Sequence, residues 1–478
     1  MEELAKESIS FLTKPSLDTN GPKLGSLGAV FIMLKSALGA GLLIFPWAFA
    51  KAGGIHSAVT VEMISLVFLI SGLVILGYSS SISGQNTYQA VVRDVCGPAI
   101  GKLCEICYVF NLFIISVAFL VIVADQLQKL CLSMHELITG LPESEMPYRW
   151  YTDQRFALFL LCLFFIFPLS VPKEISIQKY TSVLGTFAAT YLTVAIAVKY
   201  HTRPVHEINL SPLYNSGVSS WASMFSVIPT ICFGFQKSAE LLCVRCPRLI
   251  DYMAGMVRGG KWRYEKSCAA GESCHEACIA VYSSMENRKL SHWVFISVVS
   301  MLICLLIYSL TGVFGYLTFG KNVAPDILMS YSGGDVTMII ARLLFGISII
   351  TIYPIIVLLG RSVIQDPLLR QRHKHTAVTE SYESRTRVAL TTAWVTVALL
   401  IAVFVPDISK VISVVGGVSA FFIFVFPGLC LIFVVQSESV SRTMRYLLVA
   451  WGMITLLCGT YIFGHSTSIA IMHLLSEM

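Results

Sequence analysis

The chain has 478 residues, of which 55% are hydrophobic and only 13% are charged, and its formal net charge is +6. Soluble proteins carry about 25% charged residues, so the composition excludes an ordinary soluble domain and indicates a polytopic membrane protein. The sequence contains neither a Walker A signature nor a nucleophile–base motif, which disfavours an ATP-driven pump and an enzyme, and we expect no nucleic acid partner.

The chain opens with a polar segment, 1–26, for which we expect a disordered cytosolic tail. Apolar runs of about 20 residues follow it, and each is long enough to cross a bilayer. They predict a transporter domain over 27–473 with eleven transmembrane spans. Numbered in chain order, the spans are 27–53, 57–79, 103–130, 156–172, 178–200, 219–236, 291–318, 334–363, 388–405, 408–435 and 446–473.

The loops between the spans predict the orientation of the chain. Most Lys and Arg residues fall in loops that are cytosolic if the N-terminus lies inside. The C-terminus then lies outside, and the Asn209-Leu210-Ser211 sequon falls in an outer loop, where we expect Asn209 to be glycosylated. We expect a multi-pass protein of the plasma membrane, with the lysosomal membrane as the alternative.

Span one contains an interruption at its middle. The stretch Leu27–Gly54 reads LGAVFIMLKSALGAGLLIFPWAFAKAGG, with Gly39 and Gly41 near its centre and Pro46 shortly after them. Gly lowers helix stability and Pro removes a helical hydrogen bond. Broken backbone at membrane depth persists only where it lines a protein cavity, and it is typical of a secondary transporter's binding site. The alternative is that these glycines only allow close helix packing.

Span six has a similar weak point, with Pro229 and Gly234 in the short run SVIPTICFGFQ. If five spans repeat with inverted topology, span six corresponds to span one. Two broken segments in corresponding positions are what that architecture predicts.

Three motifs together carry a family resemblance. They are MLKSALGAGLLIFPWAFAKAGG, PTICFGFQ followed later by CHEA, and ARLLFGISIITIYPIIVLLGRS. The chain resembles the sodium-coupled neutral amino acid transporters of the amino acid/auxin permease family. The resemblance implies an all-α fold with a five-plus-five inverted repeat of the leucine-transporter type and an eleventh span. It also implies alternating-access symport of a neutral amino acid, such as glutamine or alanine, with sodium and no other cofactor. A proton-coupled lysosomal transporter and a non-transporting amino-acid sensor with a cytosolic partner remain alternatives.

Both breaks supply candidate substrate-binding residues. Backbone N–H groups at the start of a half-helix attract a carboxylate, while carbonyl oxygens opposite them attract an ammonium. We predict that substrate is held by Gly39, Ala40, Gly41 and Leu42 in span one and by Phe233, Gly234, Phe235 and Gln236 in span six. The two phenylalanines would shape the side-chain pocket, or would serve only helix and lipid packing.

In this fold a sodium ion commonly lies between spans one and eight. The hydroxyls of Ser348 and Thr351 share one face of span eight and are candidate ligands, unless they serve ordinary helix–helix hydrogen bonding. Lys35 departs from the family pattern, which has a sodium-binding Asn at this place in span one. An ammonium has no lone pair for a cation, so one hypothesis is that Lys35 replaces the ion and lessens sodium dependence. The alternative is that Lys35 snorkels toward the cytosol.

Other charged residues in the spans need partners as well. In related folds an acid of span two contacts the break of span six, so the resemblance implies that Glu62 is a structural acid there. Arg342 and Glu105 are expected to snorkel from span ends, and Asp125 is a candidate for an outer entry path.

A segment rich in Lys, Arg and Cys, 237–273, is an insertion relative to the family motif, in which FGFQ continues directly into CHEA. Three interpretations stay open. It is retained non-coding sequence, a tolerated cytosolic loop, or a small metal module around Cys243 and Cys246, which have zinc spacing but lack a matching second pair.

Overall fold

A computed structural model describes residues 29–30, 40–85, 87–139, 154–172, 178–202, 227–232, 234, 279, 282, 285, 289–373, 380–405, 407–437 and 440–477. The named elements in these ranges are all helices, as expected for an all-α membrane protein. The predicted tail and the predicted insertion 237–273 lie outside the described residues.

Seven of the described helices are long and apolar enough to cross a membrane. They correspond to seven predicted spans: span two is Ile55–Ser83, span three Pro98–Thr139, span seven Leu290–Phe319, span eight Val336–His373, span nine Glu380–Phe404, span ten Ile408–Ser437 and span eleven Arg442–Glu477. Span four is the shorter apolar helix Gln154–Ser170, and span five is Gln178–Thr202. The count of eleven stays a prediction, because spans one and six are described only in part.

Two short α-helices lie between the spans in the described ranges. The helix Tyr88–Cys96 connects spans two and three on the predicted cytosolic side. The helix Ile327–Ser330 lies between spans seven and eight on the predicted outer side.

The packing of the spans repeats in the way a five-plus-five arrangement requires. Span three packs on span ten as span eight packs on span five. Span two packs on span ten as span seven packs on span five, and span three packs on span nine as span eight packs on span four. Span eleven packs on span ten. In each comparison, the span numbers of one packed pair differ by five from those of the other pair. This correspondence is expected when spans one to five and six to ten form an internal repeat.

Spans four and ten each contain a wide π turn before a proline. The π turns are Cys162–Ile166 and Phe421–Val425, and each is followed by a Phe-Pro pair that ends in Pro168 or Pro427. A proline inside a helix lacks an N–H, and its ring collides with the carbonyl one turn earlier. A wider turn at this position relieves that collision while the helix continues.

Candidate functional site

The described part of span one changes helix type where the sequence predicts a break. Ala40–Ile44 forms a 3-10 turn, and an α-helix follows over Phe45–Lys51. Pro46 lies in the first turn of that α-helix, where its missing N–H costs no helical hydrogen bond. A 3-10 turn inside a long helix commonly marks a functional hinge, so the local geometry agrees with an interruption at the predicted site.

Gly41 and Gly234 bring the two predicted breaks into direct contact. A Cβ atom built on Gly41 would lie 2.5 Å from the Gly234 Cα and 2.8 Å from its carbonyl oxygen. Real Cβ atoms do not approach backbone so closely, so only glycine allows spans one and six to touch here. The contact leaves no room for a ligand between these two residues, and a bound molecule must lie beside them.

Tyr308 of span seven contacts both spans at their predicted breaks. Its hydroxyl donates to the Gly234 carbonyl oxygen at 3.0 Å. Its ring stacks on Phe45 of span one, with ring centroids 4.2 Å apart and planes within 3°. Both side chains are buried. The prediction from sequence missed Tyr308, because no local motif distinguishes it from other tyrosines in apolar runs.

Glu62 of span two is fully buried. Its hydrogen-bond partner among the described residues is Ser309, which follows Tyr308 in span seven. Ser309 Oγ donates to Glu62 Oε2 at 2.5 Å. Glu62 Oε1 has no hydrogen-bond partner among the described residues. The acid therefore joins spans two and seven in this structure, and its predicted contact with the break of span six stays a prediction.

The two candidate sodium ligands have different surroundings. Ser348 is buried, and its Oγ faces Gly185 of span five, where a built Cβ would lie 3.3 Å away. Thr351 is half-buried, and its hydroxyl donates to the carbonyls of Ile347 and Ser348 in its own helix. The oxygen lone pairs of both hydroxyls remain compatible with a hard cation, and the sodium site stays a prediction.

The remaining predicted site residues fall outside the part of the chain that the structure describes. They are Lys35, Gly39, Asn209, Phe233, Phe235 and Gln236. Ala40 and Leu42 are described: Ala40 begins the 3-10 turn, and the Leu42 side chain is fully buried.

The prediction that Arg342 snorkels from the end of span eight is wrong. The side chain is fully buried, and its Nη2 donates to the carbonyl oxygens of Leu328, Tyr331 and Ser332 at 3.0, 2.8 and 3.2 Å. These carbonyls lie in and after the short outer helix, where the helix end leaves acceptors without intrahelical donors. Because the guanidinium satisfies them, it stays inside the protein.

Asp326 caps the same short helix and joins it to span three. Its Oδ1 accepts from the Leu328 N–H at 2.9 Å, and its Oδ2 accepts from Gln126 Nε2 at 2.5 Å. Burial raises the pKa of Asp326 to about 7, and the nearby Asp125 adds to the rise. The hydrogen bonds and the positive charge of Arg342 lower this pKa by less.

Asp125, the predicted entry-path residue, contacts span four. Gln154 Nε2 donates to its Oδ1 at 2.8 Å. The acid is half-buried rather than open. Its place in an entry path stays a prediction.

The chain matches the family model described as "Transmembrane amino acid transporter protein" over residues 23–245 and 273–472. The unmatched residues between them lie within the segment 237–273.

Named relatives match the whole length of the chain. A protein of Xenopus tropicalis named "Putative sodium-coupled neutral amino acid transporter 8" is 57% identical over 477 residues, covering 100% of both chains. "Solute carrier family 38 member 8" of Homo sapiens is 50% identical, covering 98% of this chain and 99% of the relative. "Sodium-coupled neutral amino acid transporter 7" of Danio rerio is 39% identical, covering 98% and 94%.

A solved structure shares the fold. The crystal structure of MhsT in complex with L-phenylalanine superposes with a TM-score of 0.53 at 12% identity, covering 95% of this chain and all of that one. At this identity the likeness shows the fold alone, which is the leucine-transporter type.

Proposed function

Because the chain belongs to the family of transmembrane amino acid transporter proteins, we propose that it carries neutral amino acids across the membrane by sodium symport. It is a multi-pass secondary transporter rather than an enzyme. The observation that carries the proposal is the contact of Gly41 with Gly234, where the two predicted breaks meet. The names of the relatives support a neutral amino acid as substrate and sodium as the coupling ion.

The substrate lies beside the glycine contact. The backbone N–H groups of the 3-10 turn, Gly41 and Leu42 among them, attract the carboxylate of the amino acid. The Gly234 carbonyl already accepts from Tyr308, so its second lone pair is left for the ammonium. Alternating access follows when the bundle that carries both breaks rocks against the spans around it.

The identity of the coupling ion is a separate part of the proposal. Ser348 and Thr351 provide hydroxyl oxygens, which suit a hard cation. Lys35 opposes such a site, because its ammonium would repel an ion bound nearby. We therefore retain two arrangements: sodium bound with Lys35 turned away, or the Lys35 ammonium in place of the ion.

An uptake experiment in proteoliposomes tests both parts. Labelled glutamine and alanine are supplied under an inward sodium gradient or with choline in its place, at acidic and at neutral pH. Sodium symport predicts accumulation with sodium and not with choline. Equal accumulation with choline would exclude sodium symport, and dependence on acid pH alone would assign the coupling to protons. The Lys35→Asn variant distinguishes the two arrangements: if Lys35 replaces the ion, the wild type is insensitive to sodium and only the variant requires it.

Binding without transport would also contradict the proposal. Counterflow of labelled glutamine against unlabelled internal glutamine detects exchange through the binding site. A protein that binds the amino acid but supports no counterflow is a sensor.

We place the protein in the plasma membrane, with Asn209 on the outer side. Surface biotinylation of intact cells and enzymatic removal of N-linked glycans check the two statements separately. Labelling confined to lysosomes would contradict the location, and a mobility that Asn209→Gln leaves unchanged would contradict the modification.

A further inference from the structure

A groove opens between spans three, eight and nine near their predicted cytosolic ends. Its volume is about 530 Å³, within the range of about 300–1,000 Å³ that small-molecule sites occupy. Its walls are Ile106, Phe110, Val363 and Ile364, with Trp394 between them. None of the residues that line the groove is a predicted substrate- or ion-binding residue, so we treat it as separate from the proposed transport site.

The floor of the groove has a fixed shape. The Trp394 indole N–H donates to Ser116 Oγ at 3.0 Å, which sets the plane of the ring. A Cβ built on Gly360 would lie 2.2 Å from Trp394 Cη2, so the ring rests on the bare backbone of span eight. Phe113 packs edge-on against Trp394, with ring centroids 5.4 Å apart and planes at 77°. Rigid aromatic surfaces with one polar anchor are typical of preformed binding sites.

The walls of the groove face the bilayer. Ile106 is 62% exposed and Phe110 is 51% exposed, and both lie within a helix long and apolar enough to cross a membrane. Apolar side chains at this depth are covered by hydrocarbon, so the occupant of the groove comes from the lipid phase.

The cytosolic rim supplies one positive charge. Lys102 and Glu105 both line the groove at its end. Arg93 of the cytosolic helix lies 3.8 Å from Glu105, whereas Lys102 is exposed and has no ion-pair partner in the described ranges. A lysine at the end of a span places its ammonium at headgroup level, where it attracts a phosphate.

We propose that this groove binds an anionic glycerophospholipid of the cytosolic leaflet, with one acyl chain against Trp394 and the phosphate at Lys102. The length of the groove along span three, from Lys102 to Phe113, is eleven residue steps, about 16 Å at 1.5 Å per residue. That length accommodates most of an extended acyl chain below its headgroup. The inference does not depend on which solute the protein carries, because binding is measured without uptake.

Quenching by brominated phospholipid tests the site directly. The purified protein is placed in nanodiscs of phosphatidylcholine with increasing phosphatidylglycerol that carries brominated chains. The fluorescence contributed by Trp394 is the difference between the wild type and Trp394→Phe. We expect this difference to be quenched at low mole fractions and to saturate, whereas bulk lipid contact gives quenching proportional to mole fraction.

Two pairs of variants separate the groove from ordinary lipid contact. Val363→Phe fills the groove and should abolish the saturable quenching, whereas Val194→Phe makes the same change on the lipid face of span five and should leave it intact. Lys102→Gln should raise the half-saturating mole fraction about five-fold, since a lysine near an anionic headgroup contributes about that factor. Lys321→Gln, on the outer side, should leave it unchanged.

Three results would overturn the proposal. Equal quenching in Val363→Phe and Val194→Phe assigns the signal to bulk lipid contact only. A sterol that displaces the brominated lipid at equal mole fraction assigns the groove to a sterol. An unchanged half-saturation in Lys102→Gln, a surface variant that does not alter the packing, removes the phosphate contact.

Discussion

The Tyr308 ring lies parallel to the Phe45 ring at 4.2 Å, so span seven is locked to the broken part of span one. The hydroxyl of the same tyrosine donates a hydrogen bond to the Gly234 carbonyl oxygen. One side chain thus contacts spans one and six at the places where the breaks are predicted.

Removing only the Tyr308 hydroxyl should impair transport without unfolding the protein. Tyr308→Phe keeps the stacked ring but deprives the Gly234 carbonyl of a buried donor, at a cost of about 1–3 kcal/mol. We expect about a ten-fold lower kcat/KM for uptake. Tyr316→Phe, at a half-buried place in the same span, is the control and should transport normally. Unaltered uptake in Tyr308→Phe would show that its hydroxyl does not position the break.

Adding a single methyl group at the glycine contact should abolish uptake. Gly41→Ala places a Cβ against the backbone of Gly234, which cannot move aside as a flexible side chain would. We expect surface expression to persist while uptake falls to background. Gly464→Ala in span eleven meets nothing within 4 Å and is the matched control. Near-normal uptake by Gly41→Ala would mean that spans one and six lie farther apart in the working protein.

Glu62 and Ser309 should be energetically coupled. A double-mutant cycle of Glu62→Met and Ser309→Ala isolates the pair from its surroundings, because each variant removes one partner of the hydrogen bond. Because the hydrogen bond involves a buried acid, we expect a coupling of about 1.5–3 kcal/mol in thermal unfolding. Strict additivity of the two changes would indicate that Glu62 is held by another partner.

Arg342 should stabilise the outer segment between spans seven and eight. Arg342→Met removes the charged donor to the carbonyls of Leu328, Tyr331 and Ser332, and we expect a lower Tm, with a loss of about 1.5–3 kcal/mol. Arg93→Met, which breaks an ion pair on the exposed cytosolic helix, should change stability by less than about 1 kcal/mol. Tm values measured by intrinsic fluorescence compare the two, and equal losses would contradict the assigned role.

Asp326 should make stability depend on pH. Its folded-state pKa of about 7 lies above the ordinary value of 3.8, so the folded protein holds a proton that the unfolded chain releases. The contribution of Asp326 to the free energy of unfolding is therefore complete below about pH 4, declines between about pH 4 and pH 7, and is absent above about pH 7. Asp326→Asn keeps an uncharged side chain and should make the decline of Tm over this pH range less steep.

Asp335 provides the control for that pH experiment. It lies in the same outer segment but pairs with Lys199 at 2.7 Å. Asp335→Asn should leave the decline between about pH 4 and pH 7 in place. If both variants keep the decline, Asp326 is not its source.

Hydropathy predicted the spans because bilayer crossing demands an unbroken apolar run, and this demand does not depend on tertiary contacts. The break near Gly41 was predictable for the same local reason: a flexible residue and a proline interrupt one run. Tyr308 and Arg342 were not predictable, because their roles depend on which helix lies opposite. A buried arginine and a snorkelling one look alike in sequence until the carbonyls that receive the guanidinium are known. The π turns were not predictable either, because the Phe-Pro pair that follows each of them also occurs at Phe45-Pro46, after a 3-10 turn.

Those π turns also shift the angular phase of spans four and ten. An extra residue in one turn displaces all later side chains by about 100° around the axis relative to a continuous α-helix. A helical wheel drawn with a single period over Ile408–Ser437 therefore assigns the wrong residues to lipid after Val425. Accessibility scans by cysteine substitution along span ten should show a periodic pattern that restarts at Phe426, and the restart point would locate the π turn in the native membrane.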